Sequence, residues 1–203
     1  MASLPQRNAI EVPSTASGIL LHCCCAPCSG AIVEWMVQNG LRPVIFFSNA
    51  NIFPKEEYVK RREEIVRYAA LFDLEVIDDE YGHDAWLEAV RGLENEPERG
   101  ARCAACFRFR LLRAARYAAE HGFDTLTTTL ASSRWKDLEQ VGAAGEWACG
   151  AVAAELAASG SCLRAPFWWN QNWRKGGLQP RRDAIIREQD FYNQIFCGCE
   201  FCR

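Results

Sequence analysis

Ile19-Leu20-Leu21-His22-Cys23-Cys24-Cys25-Ala26-Pro27-Cys28-Ser29-Gly30 decides how the rest of this chain is read. An apolar run suited to a buried strand ends in three consecutive cysteines, and Ala26-Pro27-Cys28 then opens a helical pattern. Proline is favoured in the first helical position because its missing N–H would be an orphan there anyway. The thiols therefore fall at a strand end and a helix N-terminus. Open α/β sheets bind ligands at such carboxyl ends, and a helix dipole there favours negative charge and lowers a thiol's pKa. Two chemistries follow: a redox-active pair of Cys25 and Cys28 in the thioredoxin manner, or thiolates gathered for a metal.

The other cysteines bear on that choice. The chain has 203 residues and 11 cysteines, clustered as 23–25 and 28, 103 and 106, and 197, 199 and 202. Cys149 and Cys162 stand alone in apolar surroundings and read as small packing residues. A disulfide framework usually serves a short secreted chain with a thin core. This chain is long enough for a real core, and its first residues carry no apolar run of the signal-peptide kind. No stretch approaches the length a membrane span needs. The expectation is a cytoplasmic protein without a membrane, whose thiols are reduced and serve metal or catalysis. Cys103-Ala104-Ala105-Cys106 is a two-thiolate half-site and Cys197-Gly198-Cys199 with Cys202 another, more thiolates than one tetrahedral zinc site uses. Four hold an iron–sulfur cluster, and the surplus could serve a second metal. A structural zinc stays open as an alternative.

Outward from the first strand, at residues 18–23, the pattern runs helix to 39, strand 43–47 and helix 55–71. A short strand at 74–77 and a helix at 81–93 follow. A loop with Cys103 and Cys106 leads into a long helix ending near 122, then a β-branched strand at 123–130 and a helix at 135–158. A short helix at 180–190 precedes the terminal cysteines. Alternation at this spacing predicts a doubly wound parallel sheet. Residues 1–17 mix Pro, Ser, Thr and Ala without period and read as a flexible tail, leaving 18–203 as one domain with a small Cys/Trp-rich C-terminal segment.

The net charge of −3 hides a segregation. Residues 73–98 hold ten acids against Arg91 alone, so the rest of the chain is basic. A dipolar protein binds a polyanion with one face whatever its net charge. Arg99, Arg102, Arg108, Arg110, Arg113 and Arg116 run without an acid among them, and so do Arg164, Arg174, Lys175, Arg181 and Arg182. The second run interleaves Phe167, Trp168, Trp169 and Trp173. Cations beside aromatic faces suit stacked bases; the alternative is a solvated helix face and aromatic packing on the sheet. His22 reads either as a satisfied interior histidine or as a ligand.

Several of these motifs occur together, in order, in one family. Leu-His-Cys-Cys-Cys-Ala-Pro-Cys, Cys103-Ala104-Ala105-Cys106-Phe107-Arg108-Phe109-Arg110-Leu111, Thr127-Thr128-Thr129-Leu130, Asn172-Trp173-Arg174-Lys175-Gly176-Gly177, Tyr192-x-Gln194 and Cys197-Gly198-Cys199 resemble the QueH-type epoxyqueuosine reductases. The resemblance implies a Rossmann-like sheet related to the nucleotide-binding α-hydrolases. It also implies a 4Fe-4S cluster with a neighbouring metal ion, expected to be iron, and a substrate, tRNA carrying epoxyqueuosine in its anticodon. An electron donor, protein or small reductant, is implied too. The implied ligands are Cys24, Cys25, Cys28, Cys103, Cys106, Cys197 and Cys199, with Cys24 and Cys28 catalytic. Some family members carry Asp where this chain has Cys28, which assigns Cys28 to the second metal. Arg108, Arg110, Arg113, Trp173, Arg174 and Lys175 are the expected RNA contacts. Cys23 is an extra thiol relative to the family pattern, Cys202 stands where relatives often have Ser, and Arg134 where many have Pro.

Overall fold

Short apolar runs between polar turns become five strands, and every pairing between them is parallel. The computed structural model describes residues 10–14 and 16–202. The strands are β1 (Ile19–His22), β2 (Val44–Phe47), β3 (Val76–Asp78), β4 (Thr125–Thr128) and β5 (Phe167–Trp168), in the order β3-β2-β1-β4-β5. The helices are α1 (Ala26–Gln38), α2 (Lys55–Ala70), α3 (His83–Ala89), α4 (Ala101–Glu120), α5 (Leu138–Ala158) and α6 (Leu178–Glu188). Ile19, Leu20, Leu21, Ile45, Phe46, Phe47 and Leu126 are all buried, as expected for a parallel sheet covered on both faces. The chain leaves β1 toward β2 on one side, while β4 pairs on the other, so strand order reverses between β1 and β4. Ligand crevices form at such a reversal.

The alternation of strands and helices predicted from sequence is present, with local differences. α4 begins at Ala101, so Cys103 and Cys106 stand in its first two turns and not in a preceding loop. The β-branched run shortens to β4 because Thr128 turns the chain: its side chain accepts from Leu130 N at 3.1 Å, and residues Thr129–Ser132 form a 3₁₀ turn. The Trp-rich stretch contributes strand β5, which its two-residue length and lack of alternation concealed. Gly145 of α5 lies so close to Trp168 that a Cβ would collide with the indole, and this contact seats α5 on the sheet edge. Residues 1–9 and 15, part of the expected tail, lie outside the described residues. Ile10 is only 3 % exposed in the core, and Ser17 donates to Asp124 Oδ2. Among the described residues, no helix is long and apolar enough to cross a membrane.

Candidate active site

The ends of β1, β2 and β4 build the site. Cys23 N donates to Phe46 O at 2.9 Å, extending the β1–β2 ladder by one bond. Asn49, just beyond β2, donates from Nδ2 to Cys23 O at 2.9 Å. Cys24 N donates to Thr129 Oγ1 at 3.2 Å, Ser29 Oγ to Cys25 O at 2.8 Å, and Ser132 Oγ to Cys28 O at 2.9 Å. With its backbone polar groups held in this way, the turn from β1 into α1 presents three sulfurs together. The thiols of Cys24, Cys25 and Cys28 all lie within 4.8 Å of one another, and the first two are 3.8 Å apart. Tetrahedral ligands about 2.3 Å from one metal stand roughly 3.8 Å apart, so this spacing suits a single ion with a fourth position open. Cys24 is held well below the usual thiol range by hydrogen bonds from Cys25 and Cys28. Cys25 is pushed up by that donation and by burial, and Cys28 up to about 12 by its bond to Cys24. Cys23 stands outside the three-sulfur set: it is fully buried, and desolvation raises its thiol.

A second thiol set forms where α4 meets the C-terminal segment. Cys103, Cys106, Cys197, Cys199 and Cys202 line one small cavity of about 20 Å³, with Trp86, Phe107 and Lys136. Gly198 makes the Cys197–Cys199 turn possible, since its φ of +101° is one that side-chain-bearing residues rarely adopt. A Cβ there would also press on the Arg61 guanidinium and Ile52. Arg61 Nη1 donates to Cys197 O at 3.0 Å, and Gly198 O accepts from Phe53 N at 2.8 Å. A hydrogen bond from Cys199, joined by Arg102 Nη2 donating to Cys202 Sγ at 3.1 Å, brings the Cys202 thiol down to about 6. Burial pushes Cys103 up to about 11. Five soft donors brought to one place match in their chemistry what an iron–sulfur cluster takes from four thiolates.

Lys136 joins the two sets. Its Nζ donates to Cys197 Sγ at 3.4 Å, and its pKa lies above the ordinary lysine range because interaction with the sulfurs of Cys197, Cys24 and Cys28 outweighs desolvation. It also lines a cleft of about 560 Å³, together with Cys24, Cys25, Cys28 and Cys197. Arg61, Arg110, Arg134, Lys136 and Arg182 set five cations around this cleft against Glu98 and Asp183, a balance that favours an anionic ligand. His22 is the satisfied interior histidine of the two readings. Its Nε2–H donates to Ser48 O at 3.0 Å while Nδ1 accepts from Thr128 Oγ1 at 2.7 Å, and burial with nearby Arg110 lowers its pKa to about 3.

The arginine and tryptophan runs do not form the exposed stripe their sequence suggested. Arg110 is 1 % exposed and donates to Ser48 O and Asn49 Oδ1, reaching the site only as a wall of the cleft. Arg113 is committed to Asp79, and Arg116 to Glu155. Arg108 is exposed, with its guanidinium 5.5 Å from the Trp147 ring. Trp173 is fully buried, edge-on to Trp35 and Trp169, so it offers no face to a base. Arg174 bonds Ser133 O and Lys136 O and positions the loop at 133–136. Lys175 is exposed. Sequence reasoning missed Lys136, Trp135 and Asn51, all of which line the cleft. A lysine followed by Asp137 reads as an ordinary helix start, and only the fold brings it against distant thiols.

The family model for epoxyqueuosine reductase QueH matches residues 19–203. The chain is 42 % identical to the epoxyqueuosine reductase QueH of Acinetobacter baylyi, over 96 % of this chain and 84 % of that one. It is 40 % identical to the Haemophilus influenzae protein of the same name, over 96 % and 75 %. Identity to the Thermotoga maritima protein is 32 %, over 90 % and 88 %. With thiols gathered at the strand ends and similarity along nearly its whole length, the chain is an oxidoreductase belonging to the QueH family of epoxyqueuosine reductases.

Proposed function

We propose that this protein reduces epoxyqueuosine to queuosine at the wobble position of tRNA, the last step of queuosine biosynthesis, and does so in the cytoplasm. The observation that carries the reading is the pairing of two thiol sets, one spaced for a single ion and one lining its own cavity, across Lys136 and beside a cationic cleft. Converting the epoxide to an alkene takes two electrons and two protons and releases the oxygen as water. The donor set fits a 4Fe-4S cluster on four of the thiols at 103, 106, 197, 199 and 202, and an iron ion on Cys24, Cys25 and Cys28. When bound, these supply electrons singly and a Lewis acid for the epoxide oxygen. An electron-donor protein or small reductant refills the site. The strand order 3-2-1-4-5 supports a Rossmann-like assignment, because it matches the first five strands of that fold.

The protein's own groups do the rest. Arg134, exposed at the mouth, and Arg182 draw the RNA backbone to the cleft, with the buried Arg61 and Arg110 adding positive charge behind them. Trp135, 56 % exposed with Arg134 over its ring at 4.9 Å, offers the stacking face at the mouth that Trp173 does not. Lys136 balances thiolate charge between the two sets. The thioredoxin alternative loses support because Cys25 is 2 % exposed with its thiol raised, the reverse of an attacking thiolate. Anaerobic preparation with iron, sulfide and zinc analysis tests the reading. Brown protein bearing iron and sulfide is expected. Colourless protein holding only zinc after reconstitution would refute it.

A further inference from the structure

Among the described residues, three arginines are almost wholly buried: Arg61 at 3 %, Arg102 at 2 % and Arg110 at 1 % exposure. A guanidinium stays charged at any physiological pH, and a buried charge is costly unless an opposite charge answers it. Arg61 has such a partner in Glu57, 2.6 Å away. Arg102 and Arg110 have none, since no carboxylate of the described residues forms an ion pair with either. Asp79 is taken by Arg113, and Glu98 lines the same cavity as Arg102 but pairs with neither arginine. Their hydrogen bonds run to neutral groups. Arg102 Nη1 donates to Glu94 O and Glu96 O, both at 2.6 Å, and Arg110 donates to Ser48 O and Asn49 Oδ1. These bonds satisfy N–H groups and leave two full positive charges unmatched.

Both charges stand beside sulfur. Arg102 lines the cavity of the second thiol set and donates to Cys202 Sγ at 3.1 Å. Burial opposes its charge, yet the sulfurs of Cys202, Cys199 and Cys103 raise its pKa above the ordinary arginine range. Arg110 stands one turn past Cys106 on the same face of α4 and lines the cleft with Cys24, Cys25 and Cys28. Burial raises the Cys106 thiol, and Arg110 is the strongest influence against that rise. The helix that supplies Cys103 and Cys106 therefore also supplies two fixed cations. Neutral thiols do not answer them, whereas thiolates do. A cluster on four thiolates is anionic, and each electron it takes adds one negative charge. Nearby positive charge and hydrogen bonds to the sulfurs both favour the reduced form.

We infer that Arg102 and Arg110 are the fixed counter-charges of the thiolate-held cluster, positioning residues that favour its reduced form and set the potential at which it passes electrons on. This rests on the function proposed above and adds to it which side chains tune the metal centre.

The test is an anaerobic redox titration of full-length protein loaded with iron and sulfide, followed by visible absorbance. Arg110→Gln keeps amide donors but loses the charge. It is expected to disfavour reduction about tenfold, which is about 59 mV for a one-electron couple. Arg110→Lys keeps the charge and recovers most of that shift. Arg102→Gln and Arg102→Lys follow the same order. The rise in melting temperature on loading the cluster is smaller in each glutamine variant than in wild type. A purely structural role would lower the loaded and metal-free melting temperatures together and treat lysine and glutamine alike. Reduction within about twofold of wild type in both glutamine variants, or equal shifts with lysine and glutamine, overturns the inference. Where a glutamine variant holds no cluster, the lysine variant decides: a loaded cluster near the wild-type potential supports the inference, and a lost cluster overturns it. Wild-type protein that takes up no redox-active cluster refutes the functional reading itself, before any variant is compared.

Discussion

Lys136 Nζ and Cys197 Sγ lie 3.4 Å apart, and this contact ties the C-terminal thiols to a loop that also faces Cys24 and Cys28. Between two anion-forming sets, a fixed ammonium lowers the cost of bringing so many thiolates together. A hydrogen bond to a charged group contributes about 1.5–3 kcal/mol. Lys136→Met is expected to lower the melting temperature of the ligand-free protein and to speed iron loss to a chelator. Lys136→Arg, which keeps the charge, recovers part of both. Equal iron retention in wild type and Lys136→Met would mean that the ammonium does not support the metal site.

The two thiol sets predict different responses to substitution. Cys103→Ser and Cys106→Ser remove soft ligands from the set that matches the cluster, so cluster absorbance and activity are lost. Cys28 belongs to the set spaced for one ion, where a carboxylate oxygen is also an acceptable iron ligand. Cys28→Asp therefore keeps the cluster spectrum and some turnover, while Cys28→Ala keeps the spectrum and loses turnover. Iron counts beside visible spectra decide this, and a missing cluster in Cys28→Asp would move that thiolate to the other set. Cys149→Ala, at a buried site on α5, leaves both readouts unchanged.

Arg174 and Lys175 are neighbours with opposite expected phenotypes. Arg174 holds two carbonyls of the loop at 133–136, so Arg174→Ala lowers the melting temperature and turnover while the salt dependence of tRNA binding keeps its slope. Lys175 is free to meet phosphate, and Lys175→Ala reduces that slope by about one unit. A slope change in Arg174→Ala without loss of stability would place its guanidinium on the RNA instead.

Trp135 stands exposed at the mouth of the cleft. Stacking one base is worth about 1–3 kcal/mol, so Trp135→Ala is expected to raise KM for the tRNA roughly tenfold with kcat little changed. Trp135→Phe keeps most of the affinity. Steady-state kinetics on iron-matched preparations measure both, and an unaltered KM in Trp135→Ala would exclude stacking there.

The parallel sheet was legible because its apolar runs alternate with helical patterns, and the thiol clusters because their spacing is local. What sequence could not supply was pairing across the fold. Arg110 and Arg113 read as a basic stripe, yet Asn49 and Asp79 take them once β2, β3 and α4 come together. Trp173 carried the composition of a stacking residue, but its neighbours Trp35 and Trp169 close over it. The start of α4 was placed late because Cys103 and Cys106 gave no capping signal; Gly100 starts that helix without a side-chain cap.

The central claim, that thiol-held iron beside the cationic cleft reduces an epoxide on tRNA, is tested most directly by single turnover. Anaerobically reconstituted protein is chemically reduced, freed of excess reductant and mixed with tRNA containing epoxyqueuosine, and the nucleosides are then analysed by mass spectrometry. Queuosine, lighter by one oxygen atom, should appear in proportion to the reduced iron–sulfur protein and be absent with Cys103→Ser. Epoxyqueuosine left intact by fully loaded, reduced wild type, or queuosine formed equally well by the iron-free protein, would contradict it.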